Sequence, residues 1–168
     1  LTLPRIPATV EQMYANIHTL ATELGEQQKG DELVNSLRQR LEHVAQRNAQ
    51  EKPVNALFIL SAGGSAPQVA GQGSVADAII TLAGAHNVAQ HSQYKAYSAE
   101  ALIAANPEVI VVTTQMGDIS RLAAIAGITH TAAWKNQRII AVDQALILGM
   151  GPRVADAVES LHQQFWPP

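Results

Sequence analysis

Two kinds of hydrophobic pattern follow one another along this chain and divide it into helices and strands. Over the first fifty residues, apolar side chains recur every three or four positions, which is the spacing of one face of an α-helix. Beyond Pro53, short apolar runs alternate with further segments of helical spacing. The predicted order of elements is α-α-β-α-α-β-α-β-α, which indicates an α/β fold with a parallel sheet and helices on both faces.

Two helices are predicted before the first strand. The first begins after Thr9, a favoured N-cap residue, and ends at Gly25. The second covers residues 31–48, and its narrow apolar stripe consists of Leu33, Leu37, Leu41 and Val44. A long helix with one thin stripe packs on one side and faces water with the rest. We therefore predict a helical segment at residues 1–50 and an α/β unit at residues 51–168.

Three short apolar runs in the second unit are predicted to be buried strands. They cover residues 54–60, 109–113 and 138–142. Helices are predicted at residues 74–83, 98–105 and 119–126, and a last one from Pro152 to about Phe165. The polar segment between Ala85 and Tyr97 is predicted to be irregular. Strands that alternate with helices favour a parallel sheet.

A ligand of such a sheet is expected outside the carboxyl ends of its strands. In this chain those ends are followed by residues 61–68, 113–116 and 143–150, and the segment 86–97 is expected nearby. None of these loops carries a cluster of acids and bases. The candidate wall residues are Ser61, Gly63, Gly64, Ser65, Gln68, His86, His91, Tyr94, Met116, Met150 and Arg153.

Composition narrows the classes of partner. The formal net charge is −3 and the Lys and Arg residues are scattered, so nucleic acid is not an expected partner. No run reaches the roughly 18 apolar residues that a membrane helix requires. The chain has no Cys, which excludes disulfides and thiolate metal sites. It begins with Leu1 and shows no signal peptide, as a processed or truncated polypeptide would.

A glycine motif suggests an alternative function. Gly71, Gly73 and Ala76 match the dinucleotide-binding pattern G-x-G-x-x-A, which would make the chain a nucleotide-dependent enzyme. In that pattern the glycines directly follow a strand, whereas here ten residues separate Leu60 from Gly71. A glycine-rich loop that turns back and lines a cleft is the favoured interpretation.

The histidines suggest a second candidate chemistry. His86 and His91 fall in the segment expected at the cleft, where an imidazole can ligate a metal ion or pair with a carboxylate. No pair of histidines has the spacing of a known zinc motif. The histidines of the predicted helices, His18, His43 and His162, are expected on solvated helix faces.

Three blocks of sequence resemble one known family. They read FILSAGGSAPQVAGQGSVADAIITLAGAHN at residues 58–87, YKAYSAEALIAANPEVIVV at residues 94–112 and LILGMGPR at residues 146–153. The chain resembles bacterial periplasmic haem-binding proteins, which are the substrate-binding components of haem-uptake ABC transporters. They belong to a wider metal-chelate group that also binds siderophores and cobalamin, and those two ligands remain the alternatives to haem.

The resemblance implies an architecture of two α/β lobes joined by a long helix, with the ligand between them. Residues 31–48 resemble the connecting helix and residues 54–168 resemble the second lobe, so the N-terminal lobe is expected to be missing. Haem is implied as the transported ligand and the membrane permease as a partner, with no catalysis and a periplasmic location. An isolated lobe is expected to bind haem weakly or not at all, because half of the contacts are missing, and to associate with itself through the uncovered apolar wall.

The resemblance also implies roles for single residues. The tyrosine that coordinates iron in many haem-binding members lies in the first lobe, and this sequence has no position for it. Some relatives place a histidine after the second lobe's first strand, where this chain has Ser61 and Ala62. Residues 61–68 and 86–94 are therefore interpreted as walls of the second lobe, and His86 or His91 is kept as the candidate metal ligand because of its place in that segment. Members also use a surface acid on each lobe to contact permease arginines, and the candidates here are Asp118 and Glu100.

Overall fold

The structure is a computed structural model, and it describes residues 7–61, 66–116 and 118–168. The helices are α1 (Val10–Glu23), α2 (Gln27–Asn48), α3 (Val75–Leu82), α4 (Ala99–Ala105), α5 (Ile119–Leu122), α6 (Ala132–Lys135), α7 (Gln144–Ile147) and α8 (Val154–Phe165). The strands are β1 (Asn55–Ser61), β2 (Gln68–Ala70), β3 (His86–Asn87), β4 (Tyr94–Ala96), β5 (Val109–Thr113) and β6 (Ile139–Val142).

The described strands form one six-stranded mixed sheet in the order β4-β2-β1-β5-β6, with β3 also beside β1. β1, β5 and β6 run parallel, which confirms the parallel centre and the α/β class. β2 pairs antiparallel with β1, and β4 pairs antiparallel with β2. The segment predicted to be irregular therefore contains two strands, β3 and β4. The sequence did not predict them because elements of two and three residues are too short to show an alternating pattern.

Side chains alternate between the two faces of the sheet, and helices cover both. Phe58 points into a hydrophobic cluster shared with α1, α2, α3 and α8. Its neighbours Leu57 and Ile59 point into a second cluster that includes Leu102 of α4 and Leu122 of α5. All three side chains from β1 are fully buried, so the central strand forms the middle of the core.

Helix α2 packs through a stripe that differs slightly from the predicted one. Leu37, Leu41 and Val44 are buried as expected, but Val34 is buried with them while Leu33 is 39% exposed. Steps of four residues drift around a helix, whereas alternating steps of three and four stay on one face. α1 and α2 share a hydrophobic cluster with the sheet. The division of the chain into a helical segment and an α/β unit at residue 50 stays a prediction.

His162 lies in a buried contact between helices, and its predicted place on a solvated face is wrong. The residue is 2% exposed, and its Nδ1 lies 2.8 Å from Oδ1 of Asn48 at the end of α2. An amide oxygen only accepts, so Nδ1–H is the donor. The Asn48 amide in turn donates to the carbonyl oxygen of Leu82 at 2.9 Å. This polar contact joins the ends of α2 and α3 to α8, and periodicity alone does not reveal it.

Several helix boundaries follow local chemistry. The N-caps predicted at Ser74 and Ser98 are confirmed, and Thr9 also caps its helix. α5 ends at Leu122 rather than residue 126, because the next backbone bonds span three residues instead of four. The loop before the last helix contains α7, and α8 begins at Val154 instead of Pro152. Among the helices in the described residues, none has the length and apolar character needed to cross a membrane.

Replacing Arg40 with glutamine is expected to destabilise the protein in a pH-dependent way. Arg40 of α2 donates to Glu159 at 2.8 Å and to Asp156 at 2.6 Å, both on α8. The hydrogen bond from Arg40 lowers the pKa of the Glu159 carboxyl. A lowered pKa stabilises the fold above the unfolded value and loses that effect as pH falls through the folded value.

We expect R40Q to lose about 0.5–1 kcal/mol at pH 7, since the pair is partly exposed. The difference from the wild type should shrink below about pH 4, where unfolded carboxyls are protonated. Urea denaturation at both pH values measures it, with R47Q as the control on the same helix. An equal deficit at both pH values would show that the carboxylates are not the cause.

Candidate functional site

An open cavity of about 630 Å³ lies at the carboxyl edge of the central strands, and we call it the carboxyl-edge cleft. Ser61 ends β1 and Thr113 ends β5, so parallel pairing brings both to the same edge. The residues that line the cleft are Leu60, Ser61, Thr113, Gln115, Met116, Arg121, Leu122, Gln144 and Leu148. The cleft is therefore built by β1, β5, the segment directly after β5, α5 and α7.

The lining of the cleft combines an apolar wall with polar groups and one kind of charge. The apolar side chains are Leu60, Met116, Leu122 and Leu148. Hydroxyl and amide groups come from Ser61, Thr113, Gln115 and Gln144. Arg121 adds a positive charge, and no acid is present among the described lining residues. Such a surface suits a ligand that is mostly apolar and carries acceptor or anionic groups.

Ser61 and Met116 line the cleft where the strand-end rule predicts a ligand site. Gln68 is the cross-strand neighbour of Ser61, so it belongs to the same edge of the sheet. The predicted wall residues Gly63, Gly64 and Ser65 lie outside the described residues. A ligand contact by any of these residues stays a prediction.

Met150 and Arg153 lie in a second groove, of about 480 Å³, which we call the α1 groove. Its lining consists of Pro7, Met13, Asn16, Ile17, Leu20, Ala145, Leu146, Gly149, Met150, Gly151, Pro152 and Arg153. Met150 is buried and Arg153 is exposed. Residues of α7 contribute to both spaces, with Leu146 in the groove and Gln144 in the cleft. The short helix α7, which the sequence did not predict, thus stands between the two.

The prediction that His86 lines the cleft is wrong. β3 runs parallel to β1, and His86 pairs with Asn55 at the start of that strand. Ser61 lies six residues further along β1, which is about 20 Å in an extended chain. His86 is therefore exposed at the amino edge of the sheet. After α3 the chain returns to the amino edge, because a strand parallel to β1 has to begin there. The sequence of the segment shows no hydrophobic pattern that would predict this return.

His91 and Tyr94 are also outside the carboxyl-edge cleft. Nε2 of His91 lies 3.1 Å from the carbonyl oxygen of Val69, so Nε2–H donates and the ring is held beside β2. Its ring also contacts Tyr97, with centroids 5.2 Å apart. Tyr94 pairs with Ala70 on the outer strand β4 and is 37% exposed. Pairing of β4 with β2 places this segment at the antiparallel edge of the sheet.

A third cavity of about 530 Å³ lies between this segment and α4, and His91 and Tyr97 line it. Burial raises the pKa of the Tyr94 and Tyr97 hydroxyls, which keeps both protonated at neutral pH. Within the part of the chain that the structure describes, no group of three or more His, Asp or Glu side chains could hold a metal ion. The proposal of His86 or His91 as a metal ligand thus gains no support from neighbouring ligands.

The glycine motif serves the packing of the chain. A Cβ atom on Gly71 would overlap the carbonyl oxygen of His91, and the Gly71 N–H donates to the Gln93 carbonyl at 2.6 Å. Gly73 has a φ of +77° and donates its N–H to the Asp77 carboxylate at 3.0 Å. Asp77 N–H donates to the Ser74 hydroxyl as predicted, but the Asp77 carboxylate accepts from the residue before the N-cap and not from Ser74 itself, so the predicted capping box forms only in part. The N-terminus of α3 is therefore closed by its own acid, which disfavours a pyrophosphate there.

Sequence reasoning did not single out four polar residues of the cleft: Thr113, Gln115, Arg121 and Gln144. Gln115 and Gln144 fall inside the strand-end segments 113–116 and 143–150, so the rule contained them without singling them out. Arg121 lies further from its strand, on α5. A helix of four residues has no period by which a sequence could show which side chains face a site.

Comparisons with known proteins agree on one family. The sequence model of the periplasmic binding protein family matches residues 5–146. The periplasmic heme-binding protein RhuT from Roseiflexus sp. RS-1 is 30% identical, with a TM-score of 0.88 over 95% of this chain and 64% of that one. The periplasmic heme-binding protein BhuT, solved with two hemes, is 32% identical, with a TM-score of 0.86 over 94% of this chain and 62% of that one.

HutB of Vibrio cholerae, also a periplasmic heme-binding protein, is 29% identical, with a TM-score of 0.85 over 95% of this chain and 65% of that one. No curated protein matches the sequence. The chain spans less than two thirds of the length of these three structures. The similarity therefore extends over nearly all of this chain and over part of each relative.

Proposed function

The chain belongs to the periplasmic binding protein family, and from this premise we propose that it captures haem in the periplasm and delivers it to the permease of an ABC transporter. The observation that carries the proposal is the agreement of three heme-binding proteins at 29–32% identity with TM-scores of 0.85–0.88. Members of this family bind solutes, so the proposed function is binding and release without catalysis.

The carboxyl-edge cleft supports haem as the ligand on chemical grounds. Haem is a flat, mostly apolar ring that carries two propionate carboxylates at one edge. Leu122, Leu148 and Met116 supply apolar surface, and Met116 is flexible enough to fit a ring face. Hydroxyl and amide groups from Ser61 and Gln144 are available for the polar edge. We include the α1 groove, with Met150 and Arg153, as the second part of the proposed contact surface.

Permease contact by Asp118 and Glu100 is part of the same proposal. Glu100 lies in the first turn of α4, and hydrogen bonds from the backbone and from Ser98 lower the pKa of its carboxyl. It therefore stays ionised at neutral pH. Asp118 follows β5 and is also exposed. Exposed acids of this kind can form ion pairs with arginines of a membrane partner.

A hemin titration of the 168-residue chain, with intact mass measured on the same sample, tests the proposal. We expect a saturable change in the Soret band at micromolar protein. Replacing Met116 with aspartate should weaken binding at least about tenfold, because it removes apolar contact and places a negative charge against the apolar face of the ring. Absorbance titration of both proteins gives the two Kd values.

The matched control is Leu24→Asp, which introduces the same charge at a side chain that is 72% exposed outside the cleft. L24D should bind hemin within about twofold of the wild type, since a single surface charge has a small effect. Absence of saturable hemin binding, or equal loss in both variants, would contradict the proposal. Saturable binding of a ferric siderophore or of cobalamin in place of hemin would favour the alternative ligands.

A further inference from the structure

Arg121 is the charged residue among the described residues that line the carboxyl-edge cleft. Within the described chain, its guanidinium makes no ion pair with a carboxylate. No Asp or Glu is among the described lining residues, so the charge that the lining itself carries is positive although the chain as a whole carries a net charge of −3. A positive site on an acidic protein attracts an anionic group to that place in particular.

The backbone holds Arg121 at the rim of this cleft. Its N–H donates to the carbonyl oxygen of Asp118 at 2.9 Å, and its own carbonyl accepts from Ala124 at 3.2 Å. The next residue, Leu122, is 2% exposed in the second hydrophobic cluster and anchors α5 to the sheet. Only the side chain of Arg121 is left to move, so its charged end can reach a group that enters the cleft.

Amide groups line the same cleft and complete a set of donors. Gln115 follows β5 and Gln144 begins α7, so they come from two different segments of the carboxyl edge. A guanidinium matches a carboxylate with two parallel N–H bonds, and an amide NH₂ adds a further donor. Four apolar side chains occupy the remainder of the wall. The combination fits a carboxylate attached to a large apolar body.

We propose that Arg121 binds a propionate carboxylate of haem and makes the cleft selective for porphyrins with free carboxylates. This inference rests on the proposed haem-binding function and assigns within it the residue that recognises the acidic edge of the ligand. Gln115 and Gln144 support the same carboxylate as amide donors. The apolar wall binds the ring, and Arg121 sets the orientation in which the ring enters.

The test compares hemin with hemin dimethyl ester, whose propionates carry no charge, by absorbance titration of the 168-residue chain. The wild type should bind hemin roughly tenfold more tightly than the ester, as expected for one charge-assisted pair in a partly exposed site. R121Q should lose most of that preference while its affinity for the ester stays within about twofold, since the apolar wall is intact. R121K should recover part of it, because it keeps the charge without the planar fork.

Salt and a second arginine serve as controls. Raising the ionic strength should weaken hemin binding by the wild type and leave R121Q nearly unaffected, because screening acts on the charged pair. R47Q removes an arginine outside the cleft and should behave as the wild type. Equal preference for hemin in the wild type and R121Q would overturn the inference and leave haem binding intact. Failure of the wild type to bind either porphyrin would overturn the proposed function itself.

Discussion

Replacing Phe58 with alanine should lower the free energy of unfolding by about 3–5 kcal/mol, which for a protein of this size removes a large share of its stability. Phe58 is fully buried in the middle of β1, between the neighbouring strands β2 and β5, and contributes to the cluster under α2, α3 and α8. Its removal leaves a cavity that helices on a close-packed sheet cannot fill without moving. Urea denaturation followed by far-UV circular dichroism measures the loss.

Two further variants separate the cavity from the change of residue type. Phe58→Leu retains most of the volume and should cost less than half as much as F58A. Leu24→Ala removes a side chain that is 72% exposed and should change stability by less than about 0.5 kcal/mol. A loss below about 1 kcal/mol in F58A would show that β1 is not the centre of the core.

Two of the strands that the sequence predicted, β1 and β5, are buried over most or all of their length. Every residue of Val109–Thr113 is buried, and β1 has four consecutive buried positions. Parallel strands covered by helices on both faces lack polar positions, so their sequence appears as one apolar run. For this reason β1, β5 and the α/β class were predictable without any knowledge of tertiary contacts. β6 was predictable because its sequence is also an apolar run, although Ala141 is exposed.

The antiparallel edge was not predictable, and the errors at the site follow from this. All three residues of β4 are exposed, so the strand exists because of its bonds to β2 and carries no hydrophobic signal. β3 has only two residues, His86 and Asn87. Without these pairings, the segment from residue 85 to 97 looks like a loop that is free to reach the cleft. The pairings instead hold His86 at the amino edge and His91 beside β2.

At the candidate site, too, some residues were predictable from the sequence, whereas others depend on tertiary packing. Strand ends placed Ser61 and Met116 at the cleft, because a buried strand specifies where its loop begins. The location of Arg121 depends on how α5 packs through Leu122, and the location of Arg153 depends on the position of α7. Those helices are four residues long, and their orientation comes from packing on the sheet. The charged residue at the carboxyl-edge cleft, Arg121, could therefore be identified only from the structure.

Replacing a glycine of the loop before α3 distinguishes two interpretations of the G-x-G-x-x-A motif, a dinucleotide-binding site and a structural turn, by its effect on stability. A dinucleotide site would require Gly71 for a ligand, and its replacement would then affect only ligand binding. In the structure Gly71 lies against the backbone of the segment 91–93, where the Gln93 carbonyl oxygen would be 2.8 Å from an added Cβ. The carbonyl oxygen of His91 is closer still, and because both oxygens belong to the backbone, a change of the His91 rotamer cannot relieve the overlap.

We therefore expect Gly71→Ala to lower the free energy of unfolding by about 2–3 kcal/mol in the absence of any ligand, as overpacking of a rigid contact does. Urea denaturation measures the loss. Faster amide hydrogen exchange at Gln93 and at residue 71 would show that the loss arises where these two segments pair, because their backbone hydrogen bonds break when the segments separate. Gly151→Ala is the matched control, because an added Cβ there meets nothing within 4 Å and its φ is not positive. Equal stability of G71A and G151A would contradict the packing role, whereas a loss confined to G71A identifies the glycine as the residue that lets the antiparallel edge close on β2.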